Sequence, residues 1–244
     1  MTTISKTLNS VSHRPWDLPS GLWSYYQEWN NALFLHYRIS AAVLEALIPK
    51  GLELDLFEGD AWVSVVAFKM EKIRPRMLPS LSLISNFFEI NVRTYVIKDN
   101  KPGVYFLNIE AQKMLSVYIS RNISGLPYEK AIINNSIRDD LTVFRSSNVL
   151  KNFKLEASFG IGGILSQKTY LDSWLTERYC LYLDRGSNLF RYEIHHDEWE
   201  VREVDLKLLD IRYEIGSLSI TSNKPDLVHY SKGVKVLAWH RTEC

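Results

Sequence analysis

Three polar side chains alternate along one predicted strand, and together they could bind or transform a small acid. Glu89, Asn91 and Arg93 lie two residues apart in the run 87–97, and the residues between them are apolar. Because successive strand residues point to opposite faces, these three share one face. If that face lines a cavity, burial requires its charges to be paired, and the guanidinium could hold a carboxylate-bearing ligand. If it faces water, the pattern is that of an ordinary half-exposed strand.

A lysine behind a predicted turn is the second chemically interesting group. Lys130 follows the run Gly-Leu-Pro-Tyr-Glu that begins at Gly125. Burial would lower the pKa of its amine and make it a candidate for Schiff-base catalysis. A surface lysine after a turn is the common alternative.

The sequence contains no pattern typical of a metal site, a phosphate-binding loop or a serine nucleophile. His195 and His196 are adjacent, so on a strand they would point to opposite faces and would not bind one ion together. A turn with solvated histidines is expected there. The glycine-rich run 160–163 lacks a following Gly-Lys-Ser, and no Gly-x-Ser-x-Gly run occurs. We therefore predict no metal and no cofactor.

Composition argues against several classes of partner. With 29 basic and 28 acidic side chains the net charge is only +1, which provides no strong field for nucleic acid or anionic lipid. The two cysteines, Cys180 and Cys244, make no disulfide framework, which favours a reducing cytoplasm. The N-terminus has no apolar signal region, and no uncharged apolar run approaches the roughly 20 residues of a membrane span. A cytoplasmic protein that binds neither nucleic acid nor membrane is expected.

Short strands dominate the predicted elements. Beyond Pro127 the pattern is mostly strands, including the run 175–183, while the spacing of apolar residues in 205–213 favours a helix. Many strands and few helices predict a mostly β protein, built as a barrel or as two packed sheets. The length favours one domain, 16–244, with the polar segment 1–15 as a tail over it.

Several runs of the sequence resemble the YqjF-like proteins of the DUF2071 family. They are HRPW from His13, GLELDLFEGDAWV from Gly51, RPR from Arg74, FEINVRTYV from Phe88, PGVYF from Pro102, GLPY from Gly125 and LTERY from Leu175. These runs recur in order across nearly the whole chain. The resemblance implies the acetoacetate decarboxylase-like fold, an antiparallel β-barrel or cone with a central cavity, and it implies no particular activity.

The chain also resembles acetoacetate decarboxylase itself, more distantly. Glu89 falls where that enzyme has an active-site glutamate, but Tyr128 and Glu129 occupy the positions of its paired lysines. Lys130 stands one place later, and Asn30 takes the place of an arginine near the entry strand. Because the decarboxylase needs an amine whose pKa is lowered by a neighbouring ammonium, Schiff-base decarboxylation is not expected here.

These residues lead to one hypothesis and two alternatives. The cavity would place Glu89, Asn91, Arg93, Arg121 and Tyr128 around a compact polar ligand, an organic acid or a carbonyl compound. Arg93 or Arg121 would hold a carboxylate, while Tyr128 and Glu89 would hydrogen-bond or exchange protons with the other end of the ligand. The alternatives are a lyase or hydrolase that uses Tyr128 and Glu89 as acid and base, and a non-catalytic structural or interaction protein. The resemblance also implies a homo-oligomer.

Overall fold

The structure is a computed structural model that describes residues 3–113 and 125–244 of the chain. The helices of that part are α1 Thr3–Asn9, α2 Ala41–Glu45, α3 Ser82–Ser85 and α4 Tyr170–Thr176. The strands are β1 Tyr25–Ile39, β2 Glu53–Leu54, β3 Ala61–Pro75, β4 Phe87–Lys98, β5 Lys101–Ala111, β6 Tyr128–Lys130, β7 Ile132–Arg138, β8 Leu141–Asn148, β9 Phe153–Ile164, β10 Cys180–Arg185, β11 Asn188–His195, β12 Val201–Ile215, β13 Leu218–Ile220, β14 Leu227–Ala238 and β15 Thr242–Glu243. None of the helices in these two ranges has the length and apolar character needed to cross a membrane.

A closed path of strands forms the centre of the fold. Strands β14, β1, β3, β4, β5, β10 and β11 pair in that order, and β11 pairs again with β14 at two positions, one of them His195 with Leu237. The pairing of β5 with β10 is parallel, whereas the other pairings along the path are antiparallel. The predicted mostly β fold is confirmed, and the strands form an irregular ring rather than a uniformly antiparallel barrel.

The two largest hydrophobic clusters of the core lie on opposite faces of β4, one inside the ring and one outside it. Phe87 and Tyr95 of β4 belong to the inner cluster. Ile90 and Val92 of the same strand belong to an outer cluster, which β7, β8, β9 and β12 cover. Both faces of β4 are therefore buried, and the face with the polar residues is the one that points into the ring. The water-facing alternative for this strand is excluded.

The run 205–213 is a strand, so the predicted helix is wrong there. It belongs to β12, which pairs with β9 from Arg202 to Arg212. A β-bulge shifts the register between Leu206 and Leu208. The extra residue of a bulge interrupts the two-residue period, which left Leu206 and Leu209 at a spacing that imitates a helix. Pairing with β9 decides the conformation, because tertiary contacts override local spacing.

The run 175–183 contains the end of a helix and the start of a strand, where the sequence favoured a strand throughout. Helix α4 begins with a capping box: the Asp172 N–H donates to Thr169 Oγ1 at 3.1 Å, and the Thr169 N–H donates to Asp172 Oδ2 at 2.8 Å. Such a cap satisfies two amide groups that a helix start leaves without partners. It fixes where α4 begins, and strand β10 starts only at Cys180.

The N-terminal segment is packed on the ring through its last residues. It contains α1, and the buried Arg14 donates to the Ile194 carbonyl at 2.6 Å and to Glu193 Oε2 at 3.1 Å. The ring of His13 hydrogen-bonds the His196 carbonyl at 2.8 Å. These contacts hold residues 13 and 14 against β11 and the residue that follows it.

Candidate functional site

The ring encloses a cavity of about 360 Å³. Most of its wall is apolar, and its tryptophan and phenylalanine side chains are Trp29, Phe34, Phe68, Phe87, Phe106 and Trp199. Exposed residues of the segment after β3, among them Leu78 and Leu81, also line it, so the cavity opens to solvent on that side. Its volume and apolar wall are typical of sites that bind small molecules.

A buried polar group lies on one part of this wall and contains three of the predicted site residues. The Tyr128 hydroxyl donates to Glu89 Oε2 at 2.9 Å, and Asn91 Nδ2 donates to Glu89 Oε1 at 3.4 Å. The strand register produces this contact, because Asn91 of β4 pairs with Ile109 of β5, and Ile109 pairs with Tyr128 of β6. Residues 39 positions apart are thereby brought together.

Burial changes the proton equilibria of this pair. It raises the pKa of Glu89 from 4.5 to about 7, although the hydrogen bonds from Tyr128 and Asn91 pull that pKa down. Burial, and then the charge of Glu89, raise the pKa of Tyr128 well above its ordinary value. The pair therefore consists of a carboxyl that can gain or lose a proton near neutral pH and a phenol that keeps its proton.

Arg93 lies on the same face of β4 and has no carboxylate partner within the described part of the chain. Its Nη2 donates to the Leu175 carbonyl at 3.4 Å, and its guanidinium carbon lies 5.7 Å from the centre of the Phe34 ring. The Nε atom is buried and finds no acceptor among the described residues. A buried cation of this kind is stabilised when an anion reaches it.

Arg178 is a second cavity residue, and the sequence reasoning did not select it. It forms an ion pair with Asp55 and stacks over Trp174 and Tyr95, with centroid distances of 4.2 and 4.8 Å. Burial lowers its pKa, and the charge of Arg93 lowers it further, so the two guanidinium groups are electrostatic neighbours. Its Nη2 also has no acceptor in the described structure. The LTERY run at 175–179 contains Arg178, and that was the available signal.

His196 is another lining residue that the sequence reasoning missed. We expected a turn with solvated histidines, and that was wrong: His195 and His196 are 0% and 1% exposed. The His196 ring packs against Trp199 and Trp29, with centroids 5.7 and 6.2 Å away. Aromatic packing buries the residues where the local polarity of the sequence indicated a surface turn.

The remaining predicted residues do not join this group. Lys130 is exposed and is absent from the cavity wall, and no lysine lines the cavity in the described ranges. Arg121 lies outside the described residues. Asn30 donates to Glu71 Oε2 at 2.8 Å and does not line the cavity. No three or more His, Cys, Asp or Glu side chains of residues 3–113 and 125–244 are grouped so as to hold a metal ion.

Comparison with known proteins agrees with this architecture. The model of the family DUF2071, an uncharacterized conserved protein, matches residues 26–235. The chain belongs to the DUF2071 family. A relative, the uncharacterized protein YqjF of Bacillus subtilis strain 168, is 34% identical over 229 residues, which cover 91% of this chain and 93% of YqjF.

Solved structures of acetoacetate decarboxylase-like enzymes share the fold of this DUF2071 protein. Acetoacetate decarboxylase from Legionella pneumophila superposes with a TM-score of 0.60 at 14% identity, over 97% of this chain and 94% of that one. The enduracididine biosynthesis enzyme MppR, in complex with pyruvate, superposes with a TM-score of 0.61 at 11% identity, over 94% and 93% of the two chains. At these identities the likeness is one of fold.

Proposed function

We propose that this DUF2071 protein binds a small organic acid or carbonyl compound in the ring cavity. The observation that carries the proposal is the pair Arg93 and Arg178, two buried guanidinium groups that line a mostly apolar wall. Asp55 neutralises one of them. An anionic ligand would accept from the Arg93 guanidinium, which has no carboxylate partner among the described residues, and it would balance the remaining positive charge.

The apolar wall narrows the class of ligand. Because aromatic rings make up much of the cavity wall, a ligand that fills the cavity would bury an apolar body against Phe34, Phe106 or Trp199. The carboxylate would then lie at Arg93, and a carbonyl oxygen could accept from Tyr128 once Glu89 is protonated. The pyruvate complex of MppR, a protein of the same fold, supports a 2-oxo acid among the candidates.

The test is a ligand panel followed by thermal shift and titration calorimetry. The acids are pyruvate, phenylpyruvate and benzoate, and benzamide is the neutral match of benzoate. We expect at least one acid, and not benzamide, to bind the wild type. Arg93→Ala is expected to weaken that binding by about tenfold or more, since it removes hydrogen bonds to a charged group. The exposed Arg138 provides the control, Arg138→Ala.

The outcomes of this panel are decisive. If no acid or carbonyl compound stabilises the wild type more than Arg93→Ala, the binding proposal is wrong. The non-catalytic structural alternative would then be preferred, with the polar group as an internal network only. Equal losses in Arg93→Ala and Arg138→Ala would likewise remove Arg93 from the site.

A lyase or hydrolase is the second candidate function, and the raised pKa of Glu89 favours it. A carboxyl with a pKa of about 7 can accept or donate a proton at neutral pH, and the hydroxyl of Tyr128 is 2.9 Å away to stabilise the charge. The assay is exchange of the methyl protons of pyruvate for deuterium in D₂O. We expect wild-type protein to catalyse it, Tyr128→Phe to abolish it while pyruvate still binds, and Tyr170→Phe, at an exposed tyrosine, to leave it unchanged.

Lysine chemistry has its own test. The protein would be incubated with pyruvate or acetoacetate and then treated with borohydride, and the intact mass and modified peptide recorded. Because Lys130 is exposed and lies off the cavity wall, we expect no stable adduct, with a lysine-dependent decarboxylase labelled in parallel. An adduct at Lys130 would show that the amine works as a Schiff-base catalyst and would overturn our preference.

A cytoplasmic location and homo-oligomeric assembly stay predictions of this proposal. Cys180 and Cys244 are both free thiols, in keeping with a reducing compartment. Ile132 and Ile137 are exposed on β7 at one end of the strand order, and an exposed edge with apolar residues favours pairing with a second copy. Light scattering would give the mass, and a monomer at micromolar concentration would contradict assembly.

A further inference from the structure

A continuous line of buried hydrogen-bonding side chains runs behind the cavity wall. Its members, in order, are Asp172, His229, His36, Ser64 and Tyr95, and each is at most 7% exposed. The successive distances are 3.0 Å from Asp172 Oδ1 to His229 Nε2, 3.1 Å from His229 Nδ1 to His36 Nε2, 2.6 Å from His36 Nδ1 to Ser64 Oγ and 2.5 Å from Ser64 Oγ to the Tyr95 hydroxyl. Every ring nitrogen of the two histidines therefore has one partner in the line.

The line begins and ends on the same helix. Asp172 lies in the first turn of α4, and the Tyr95 hydroxyl is 2.9 Å from the carbonyl of Leu175 in its last turn. Arg93 Nη2 also donates to that carbonyl, at 3.4 Å. The chain then runs through Thr176 and Arg178, which both line the cavity. The line thus connects α4 to the ring beside the Leu175 carbonyl, to which the Arg93 guanidinium donates.

When both histidines are neutral, the hydrogen bonds along the line can have only one order of donors and acceptors. An ionised Asp172 only accepts, so His229 carries its proton on Nε2 and accepts on Nδ1. His36 must then donate from Nε2 and accept on Nδ1 from the hydroxyl of Ser64. Tyr95 in turn donates to Ser64, because one hydroxyl has one proton. The 2.9 Å contact between the Tyr95 hydroxyl and the Leu175 carbonyl then holds no proton, and Arg93 is left as the donor to that carbonyl.

When His229 gains a proton, donor and acceptor exchange roles in every hydrogen bond of the line from His229 to the Tyr95 hydroxyl. The imidazolium donates from both nitrogens, so His36 accepts on Nε2 and carries its own proton on Nδ1. Ser64 accepts from His36 and donates to Tyr95, whose hydroxyl now donates to the Leu175 carbonyl. That carbonyl then has a second donor beside Arg93, and its attraction for the guanidinium is divided.

We propose that His229, His36, Ser64 and Tyr95 are positioning residues that couple proton uptake at His229 to the freedom of Arg93 to bind an anion. This proposal rests on the proposed function, since it concerns the same Arg93. The protonated line loosens the Arg93 contact with Leu175 and adds a positive charge behind the wall, and both effects favour an anionic ligand. By reciprocity, an anion bound in the cavity favours the protonated line.

The charged and titratable groups around the line set when it changes direction. Burial lowers the pKa of His229, against the pull of Asp172 and with a contribution from Lys168. Burial also lowers the pKa of His36 well below its ordinary value, assisted by His229 and Arg93. The added proton therefore enters below the ordinary titration range of histidine, and it resides at His229, where the carboxylate of Asp172 is in contact.

The first test uses the ligand-free protein. Proton–nitrogen NMR of ¹⁵N-histidine protein distinguishes an imidazole protonated on Nε2 from one protonated on Nδ1. We expect the tautomer of His36 to change from Nε2–H to Nδ1–H as the pH falls and His229 gains its proton. A His36 that keeps Nε2–H while His229 titrates would refute the line. This result does not depend on whether any acid binds.

The second test measures the affinity for benzoate against pH in a Glu89→Gln background, because Glu89 titrates on the same wall. Over the titration of His229 we expect the affinity to rise by up to about tenfold per pH unit as the pH falls. His229→Gln should remove this rise, since the amide can donate to Asp172 and accept from His36 and so keeps the neutral direction. His196 titrates in both proteins, so the difference between them reports His229.

The outcomes separate this inference from the proposed function. The same pH dependence with and without His229→Gln would overturn the coupling and leave binding intact. If benzoate and the other acids fail to bind at every pH, the binding proposal fails instead, and the tautomer measurement still decides whether the line reverses. Circular dichroism and the NMR spectrum of His229→Gln show whether it folds. If His229→Gln does not fold, the tautomer of His36 is measured in the Glu89→Gln protein with and without benzoate. A tautomer that benzoate does not change would overturn the coupling.

Discussion

Replacement of Glu89 by glutamine gives the sharpest test of the buried polar group. The side chain is 3% exposed, accepts from Tyr128 and Asn91 and has its pKa raised from 4.5 to about 7. Glutamine has the same shape and can still accept from Tyr128. Asn91 Oδ1 has no donor within the described ranges. The glutamine amide can donate to this oxygen after the Asn91 side chain rotates. The substitution thus removes a titration while keeping the packing.

The sign and size of the effect follow from linkage. The pKa of Glu89 is higher in the folded state than in the unfolded state, so between these pKa values the folded protein holds a proton that the unfolded protein has lost. The free energy of unfolding therefore falls as the pH rises from about 4.5 to 7 and then stays low. At about 1.36 kcal/mol per pKa unit, the full loss is about 3 kcal/mol. Glu89→Gln removes it.

The assay is equilibrium unfolding in urea at a series of pH values. We expect wild type and Glu89→Gln to have similar stability near pH 4.5, and the glutamine variant to be more stable by about 3 kcal/mol above pH 7. Glu203→Gln, at an exposed glutamate on β12, controls for the loss of one negative charge. A difference between wild type and Glu89→Gln that does not vary with pH would refute the argument that burial raises this pKa.

Two further substitutions test the packing that supports the cavity. Asp55→Asn leaves the buried Arg178 without its carboxylate, and urea unfolding should show a loss of about 3 kcal/mol; a loss below about 1 kcal/mol would mean that solvent already screens the pair. Gly103→Ala would place a Cβ 2.6 Å from the Cys180 carbonyl oxygen, so we expect a lower Tm and a loss of about 1 to 3 kcal/mol. Gly163→Ala, with no atom within 4 Å, is its control, and equal Tm changes would contradict the clash.

The apolar and polar parts of the cavity wall affect the binding free energy of a ligand in different ways. The apolar part stabilises whatever apolar surface it covers, at about 25 cal/mol per Å². The polar part does the opposite for an uncharged apolar ligand, because Arg93 and Arg178 would lose contact with water and gain no partner. Discrimination between acids and their neutral analogues therefore arises at the guanidinium groups, whereas the apolar wall determines how large the bound acid can be.

The local arrangement of this site follows from the sequence alone. The two-residue period of β4 placed Glu89, Asn91 and Arg93 on one face, and the structure keeps them there. That inference needed only the alternation of strand side chains. The distant resemblance of the segment 121–127 to acetoacetate decarboxylase also predicted that Tyr128 stands where that enzyme has a lysine, which made this tyrosine a candidate on sequence grounds.

The choice of face required the tertiary structure. The alternation of side chains does not show which face of β4 meets water, and in the structure neither face does. The outer strands cover Ile90 and Val92, and the ring encloses the polar residues. Only the closure of β11 on β14 turns a polar strand face into a cavity wall. Closure depends on pairings between residues far apart in the chain, which no short window of sequence contains.

The same reason explains the residues that sequence reasoning missed. Arg178 is paired with Asp55 across 123 positions of the chain, and His36 meets His229 across 193. Each of these residues is an ordinary charged or polar group in its local sequence. What makes them functional candidates is burial together with a specific partner. The sequence predicted the fold class, the family and the grouping of Glu89, Asn91 and Arg93 on one face of β4, whereas long-range packing decided which cations and histidines surround the cavity.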